Sequence, residues 1–204
     1  MHLADKLYLI QKQRSDRISR VGDFLSDELL PLTQIFGTNG IHLEIGCGHG
    51  HWLCELAQLR HNEIFIGVDL ISKRISKANR KKQNLNQNNL FFIKAEAIEF
   101  LEALPDDFFL KNIYLMHPDP WPKKRHHKKR ILQEGFMTLM HAKSKAGSQF
   151  FFKTDHAGYY EWAKHLISSS NHWKLGQTKW PYNQNNSFFG KLFAETQSLS
   201  ASRI

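Results

Sequence analysis

Residues 41–69 of this 204-residue chain read IHLEIGCGHGHWLCELAQLRHNEIFIGVD. A short apolar run, IHLEI (41–45), enters a glycine-rich turn, EIGCGHG (44–50). The chain then passes through a stretch of helical spacing and returns as a second run, EIFIGVD (63–69). Outward from there the pattern repeats in NLFFIKA (89–95), NIYLMH (112–117) and QFFFKTD (149–155), with longer helical stretches between. Strands alternating with helices at this pitch predict βαβ units. They predict an α/β fold, with a mostly parallel, twisted sheet and helices on both faces.

Residues 1–40 stand apart from this alternation. They carry five basic and five acidic residues and predict a helix over SDRISRVGDFLSDELL (15–30). Pro31 and the turn-like GTNG (37–40) are expected to end this helical or loose N-terminal appendage. Residues 41–204 then form the main domain. The Asn/Gln-rich segments 83–89 and 183–186 read as loops.

The apolar share of 41% is ordinary for a globular protein and excludes a disordered or collagen-like chain. Two cysteines, Cys47 and Cys54, make no disulfide framework and no CxxC pair, so reduced thiols are expected. No apolar run approaches the roughly 18 residues of a membrane helix, and no secretory signal is visible. The expectation is a soluble, cytoplasmic protein.

Its net charge is +9, from 28 Lys and Arg against 19 Asp and Glu. Six of the cations lie in KRISKANRKK (73–82) and six in KKRHHKKR (123–130), with no acid in either segment. Without those twelve the remainder is slightly acidic. Concentration of this kind marks a polyanion-binding surface. Segment 73–82 fits a solvated helix face equally well.

Ligands of open parallel sheets bind outside the carboxyl ends of the strands. Glycines 46, 48 and 50 at the end of the first run let the backbone turn tightly and approach a ligand. Their G-x-G-x-G spacing is not the dinucleotide G-x-G-x-x-G, and a purely structural turn remains an alternative. Glu44 precedes the turn, Asp69 ends the second run and Glu96 follows the third. A carboxylate at the second strand's end commonly accepts ribose hydroxyls. Three acids on successive strand ends repel a pyrophosphate and suit a cationic adenosyl ligand, which favours S-adenosylmethionine over NAD.

The fourth run leads into HPDPWPKKRHHKKR (117–130). Three prolines hold that loop rigid, Asp119 sits where a cofactor's reactive group would lie, Trp121 offers a stacking face, and the cations that follow suit phosphates. Asp155 ends the fifth run. Tyr159, Trp162, Ala163 and Leu166 share one helical face and read as core packing. No spacing among His49, His51, His126, His127 and Cys47 matches a metal ligand set, so no metal is expected.

The segments EIGCGHG, FIGVD, KAEA, HPDPWPKKRHHKKR and KTDHAGYYEWA, in this order, resemble those of the bacterial tRNA (guanine-N7-)-methyltransferases over roughly residues 40–165. The resemblance implies a Rossmann-like methyltransferase fold and methylation of a guanine N7 in the variable loop of tRNA. By position it implies S-adenosylmethionine contacts at Glu44, Gly46, Gly48, Asp69, Glu96 and Asp119, with Asp119 also catalytic. It implies substrate contacts at Lys123, Asp155 and Ser187, and RNA contacts at Arg125, His126, His127, Lys128, Lys129 and Arg130. Where the family carries T-x-F/Y-E near its end, this chain has Ser187-Phe188-Phe189-Gly190, and its last 20 or so residues are short and polar for a final strand. That departure keeps open a second reading, a weak or inactive RNA-binding relative; a third, a methyltransferase of the same fold acting on another substrate, is argued against by the basic track.

Overall fold

Strands β1 (Gly40–Ile45) and β2 (Ile64–Asp69) are buried at every residue, as the centre of a sheet covered on both faces requires. A computed structural model of the protein describes residues 3–181 and 195–204. Ser187 and Gly190 lie outside the described residues. Alongside β1 and β2 run β3 (Leu90–Lys94), β4 (Phe109–Met116), β5 (Ser144–Thr154), β6 (Trp173–Gly176) and β7 (Gln197–Arg203), in the order β3-β2-β1-β4-β5-β7-β6. The pairings of β1 with β2 and β4, of β2 with β3 and of β4 with β5 are all parallel, whereas β7 runs antiparallel to both β5 and β6. The α/β architecture anticipated from the alternating runs is therefore present.

Period-two alternation sends successive side chains to opposite faces. Ile41, Leu43 and Ile45 of β1 join one apolar cluster with Ile64, Ile66 and Val68 of β2. That cluster is closed by α1 (Leu3–Phe36), α4 (Ala97–Ala103), α5 (Glu134–Ala142) and α6 (Ala157–Ser168). Phe65, Tyr114 and Phe151 point the other way, under α2 (His51–Leu59) and α3 (Ser72–Asn84). The sheet is thus the middle layer of three. Among the described residues no helix is long and apolar enough to cross a membrane.

Two segments differ from the sequence expectation. First, α1 does not stop at Pro31 but continues to Phe36, where Gly37 donates back to the Thr33 carbonyl at 2.9 Å. Proline removes one helical hydrogen bond and crowds the carbonyl before it, but tertiary packing holds the helix on both sides: Val21, Leu25 and Leu29 are buried in the main cluster, and Leu32 and Phe36 pack against it. Arg17 also binds Glu99 of α4 through Nε at 2.9 Å. The first turns of α1 are different, with Leu3, Leu7, Tyr8 and Ile10 exposed. Second, the polar sequence QSLSASR does form a strand, β7. It is stable there because Leu199 and Ala201 alternate onto the core face while neighbours on both sides satisfy its backbone.

Leu25→Ala and Leu29→Ala should each lower unfolding free energy by roughly 2–5 kcal/mol, whereas Leu7→Ala should change it by no more than about 0.5 kcal/mol. Urea titrations of the three variants measure this. Equal effects at Leu7 and Leu25 would contradict the packing described for α1.

Candidate active site

The sheet order sets the acids side by side. Along the carboxyl edge the strands follow β3, β2, β1, β4, β5, so Glu96, Asp69, Glu44, Asp119 and Asp155 lie at or just beyond successive strand ends. Adjacent strands are roughly 4.8 Å apart, which gathers the five carboxyl groups along one rim. The order of strands reverses between β1 and β4, where a ligand crevice is expected. Two loops flank that point, 46–50 and 117–123.

The first loop is tied to β2. The Gly46 and Cys47 amides both donate to the Val68 carbonyl, at 2.8 and 3.0 Å. Gly50, which begins α2, has a φ of 66°, and a Cβ there would collide with the ring of Phe92. Gly46 and Gly48 also have positive φ, but a Cβ on either would meet nothing within 4 Å. These two glycines border open space, which suits a backbone cradle for a ligand.

Asp69 closes the loop from the other side. Its Oδ2 accepts from the Gly48 amide at 3.1 Å, its Oδ1 accepts from the Ile71 amide at 2.8 Å, and Arg74 lies 3.4 Å from Oδ2. Glu44 is only 4% exposed and its Oε2 has no hydrogen-bond partner among the described residues. Burial, and secondarily the charge of Asp69, pushes the Glu44 carboxyl up to about 8. A buried acid in that state is matched by a cation brought into contact with it. Glu96 has a structural role visible here: its Oε2 accepts from the Ile98 and Glu99 amides at 2.9 and 3.1 Å, capping α4.

The second loop is strained. His117 and Trp121 adopt φ values of 50° and 43°, a region that costs roughly 1–3 kcal/mol for each such residue. The His117 amide donates to the Lys153 carbonyl at 2.7 Å, and its side chain, 3% exposed, places Nδ1 3.3 Å from Asp155 Oδ1. Burial lowers the His117 pKa, against the opposing pull of that carboxylate. Asp119 is exposed at the rim, as are Lys123, Lys124, Arg125, Lys128 and Lys129. His126 and His127 are half-buried in the 3-10 turn Lys124–Lys129. Lys129 rests over the Trp121 ring, 4.6 Å from its centroid.

Arg130 departs from the expectation drawn from its neighbours. It is 3% exposed, donates from Nε to the Pro120 carbonyl at 2.8 Å, and lies against Tyr159 and Trp162, 4.7 and 5.2 Å from their centroids. The aromatic rings of α6 lie along one side of its guanidinium. Tyr159 and Ala163 are buried in the core and Trp162 and Leu166 pack against it, as their helical spacing predicts. Sequence reasoning gave His117 and Arg74 no role. For His117 the signal available was its place beside Pro118 at a strand end, whereas nothing in the sequence distinguished Arg74 from the other cations of α3. Among the described residues no group of three His, Cys, Asp or Glu could hold a metal ion.

The sequence matches the family described as "Putative methyltransferase" over residues 38–197. It is 33% identical over 168 residues to the tRNA (guanine-N(7)-)-methyltransferase of Methylobacillus flagellatus, covering 76% of this chain and 71% of that protein. The chain belongs to this methyltransferase family. Its match to the tRNA (guanine-N(7)-)-methyltransferase of Corynebacterium efficiens is 32% identical over 159 residues, covering 77% of this chain and 63% of the relative, slightly less than two thirds of its length. A crystal structure described as that of "a putative methyltransferase from streptococcus mutans in complex with SAH" is similar with a TM-score of 0.52 and 13% identity, covering 82% of this chain and 90% of that one. At that identity the likeness concerns the fold, and this methyltransferase shares the Rossmann-like arrangement.

The raised Glu44 pKa sets a pH signature. Between the ordinary carboxylate value of 4.5 and about 8 the folded protein retains a proton that the unfolded chain releases, so this group's contribution to stability falls as pH rises. Glu44→Gln, which cannot ionise, should therefore melt progressively higher relative to the unmodified protein from pH 5 to pH 8. A melting difference independent of pH would contradict the assignment.

Proposed function

We propose that this chain transfers the methyl group of S-adenosylmethionine to N7 of a guanine in the variable loop of tRNA, in the cytoplasm. The observation that carries the reading is the row of strand-end carboxylates set beside a rigid proline loop whose continuation, Lys123–Lys129, is an exposed cationic face. Relatives that carry this activity in their names support it.

When bound, the cofactor supplies an electrophilic methyl on a sulfonium. The residues present fit it: Gly46 and Gly48 leave the backbone cradle open, Glu44 would offer a buried carboxyl with an unpartnered Oε2 to a positive charge, and Asp69, fixed by two backbone amides, would accept the ribose hydroxyls. Glu96 would contribute at the adenine end while still capping α4.

Guanine N7 has an in-plane lone pair outside Watson–Crick pairing, so no proton must be removed before it attacks. The demands on the protein are alignment and charge stabilisation. Asp119 lies at the end of β4, beside the crevice, where its carboxylate would favour the cationic ring that forms. Asp155 would accept from the guanine N1–H and exocyclic amine, oriented by His117 Nδ1. Ser187 would add a hydroxyl, and with Gly190 in place of the family's acid, base selection leans on Asp155. Lys123, Lys124, Arg125, Lys128 and Lys129, with the half-buried His126 and His127, would follow the tRNA backbone.

Transfer of labelled methyl groups to unmodified tRNA, with aniline-induced cleavage to map the base, tests this reading. Asp119→Ala should lower kcat on the order of a hundredfold or more while tRNA affinity stays within about twofold. Neutralising Lys128 and Lys129 should instead flatten the salt dependence of tRNA binding by roughly 0.7–0.9 in the log–log slope per lost phosphate contact. No methyl transfer by a protein that binds the cofactor, or near-normal turnover by Asp119→Ala, would refute the assigned chemistry.

A further inference from the structure

Among the cations of segment 123–130, Arg130 alone is turned inward. Its Nε donates to the carbonyl of Pro120, the residue directly after Asp119. One side of its guanidinium faces Tyr159 and Trp162 of α6, and its Nη1 is enclosed with no hydrogen-bond partner among the described residues. Burial lowers its pKa, the cost of holding a cation out of water. The aromatic partners are fixed in their turn. The Leu132 amide donates to the Tyr159 hydroxyl at 3.3 Å, and Trp162 Nε1 donates to the Leu132 carbonyl at 2.9 Å. Gln133 reaches back from Nε2 to the carbonyls of His127 and Arg130, at 2.8 and 3.1 Å.

The loop that receives this hydrogen bond is poor in backbone donors. Pro118, Pro120 and Pro122 offer no N–H, and His117 and Trp121 sit at positive φ. Conformations of that kind persist only where surrounding contacts enforce them. The His117 end is anchored to the Lys153 carbonyl, and the Asp119 end is anchored through Pro120 to Arg130.

We propose that Arg130 is a positioning residue, a guanidinium clamp between the Pro120 carbonyl and the Tyr159/Trp162 face that fixes the loop carrying Asp119, and not a contact to RNA. This assignment rests on the role proposed for Asp119. The chemistry of the clamp requires arginine specifically: a planar group must stack and donate from Nε at once, which a lysine ammonium cannot do. A phosphate contact, by contrast, tolerates lysine.

Arg130→Met and Arg130→Lys separate the two roles. For both variants the clamp predicts kcat lowered on the order of 10- to 100-fold, with the tRNA KM and the salt slope of tRNA binding unchanged. It also predicts amide hydrogen exchange over residues 117–130 accelerated about tenfold, with exchange in β1–β3 unaltered. Full activity in Arg130→Lys, a salt slope reduced by roughly 0.7–0.9 in Arg130→Met, or unchanged exchange in the loop would each overturn it. Trp162→Leu removes one stacking face while keeping the cation, and should give the same pattern at smaller amplitude should Arg130→Met fail to fold. If the unmodified protein methylated no tRNA, the proposed function would fall, and the exchange measurements would still decide the clamp.

Discussion

Glu44 is the penultimate residue of a strand that is buried on both faces, with the carboxylate of Asp69 one strand away and no hydrogen-bond partner for its own Oε2 among the described residues. A carboxyl group so placed is held neutral until a positive charge arrives, and the rest of the site is organised around that constraint. The parallel sheet supplies it, because parallel strands bring their carboxyl ends, and whatever acids the sequence places there, to a single edge. The glycine turn leaves room above the same edge, and Asp69 fastens that turn to β2 through the Gly48 amide.

On the other side of β1, rigidity replaces room. The loop after β4 is built from three prolines and two residues at positive φ, a conformation held by the Lys153 carbonyl at one end and Arg130 at the other. A carboxylate intended to stabilise a charge that appears only during reaction gains from being fixed in advance, since no reorganisation is then required as the charge forms. The exposed cations from Lys123 to Lys129 continue directly from this loop, so the surface that would bind a polyanion and the carboxylate that would assist the chemistry share one short stretch of backbone.

Much of this was legible in the sequence. The alternation of short apolar runs with helical stretches defined the sheet, and the rule that ligands sit at strand carboxyl ends then picked out Glu44, Asp69, Glu96, Asp119 and Asp155. What stayed hidden depended on tertiary contacts. Arg130 reads as one more member of a basic run, and only the folded chain turns it against Tyr159 and Trp162. Pro31 reads as a helix stop, but Leu25 and Leu29 are packed firmly enough to carry α1 past it. The polar tail reads as a poor strand, yet β5 and β6 supply its backbone partners. Glu96 reads as a ligand contact, and its capping of α4 is a role that a one-dimensional pattern does not display.

The central physical claim is that the site holds a protonated carboxyl which ionises when a cationic adenosyl ligand arrives. Calorimetric titration with S-adenosylmethionine at pH 7, repeated in buffers of different ionisation enthalpy, counts the protons exchanged on binding. With Glu44 near 8 in the free protein, binding should release most of one proton, and the Glu44→Gln variant should release almost none. Tight binding with no difference in proton release between the two proteins would contradict the account.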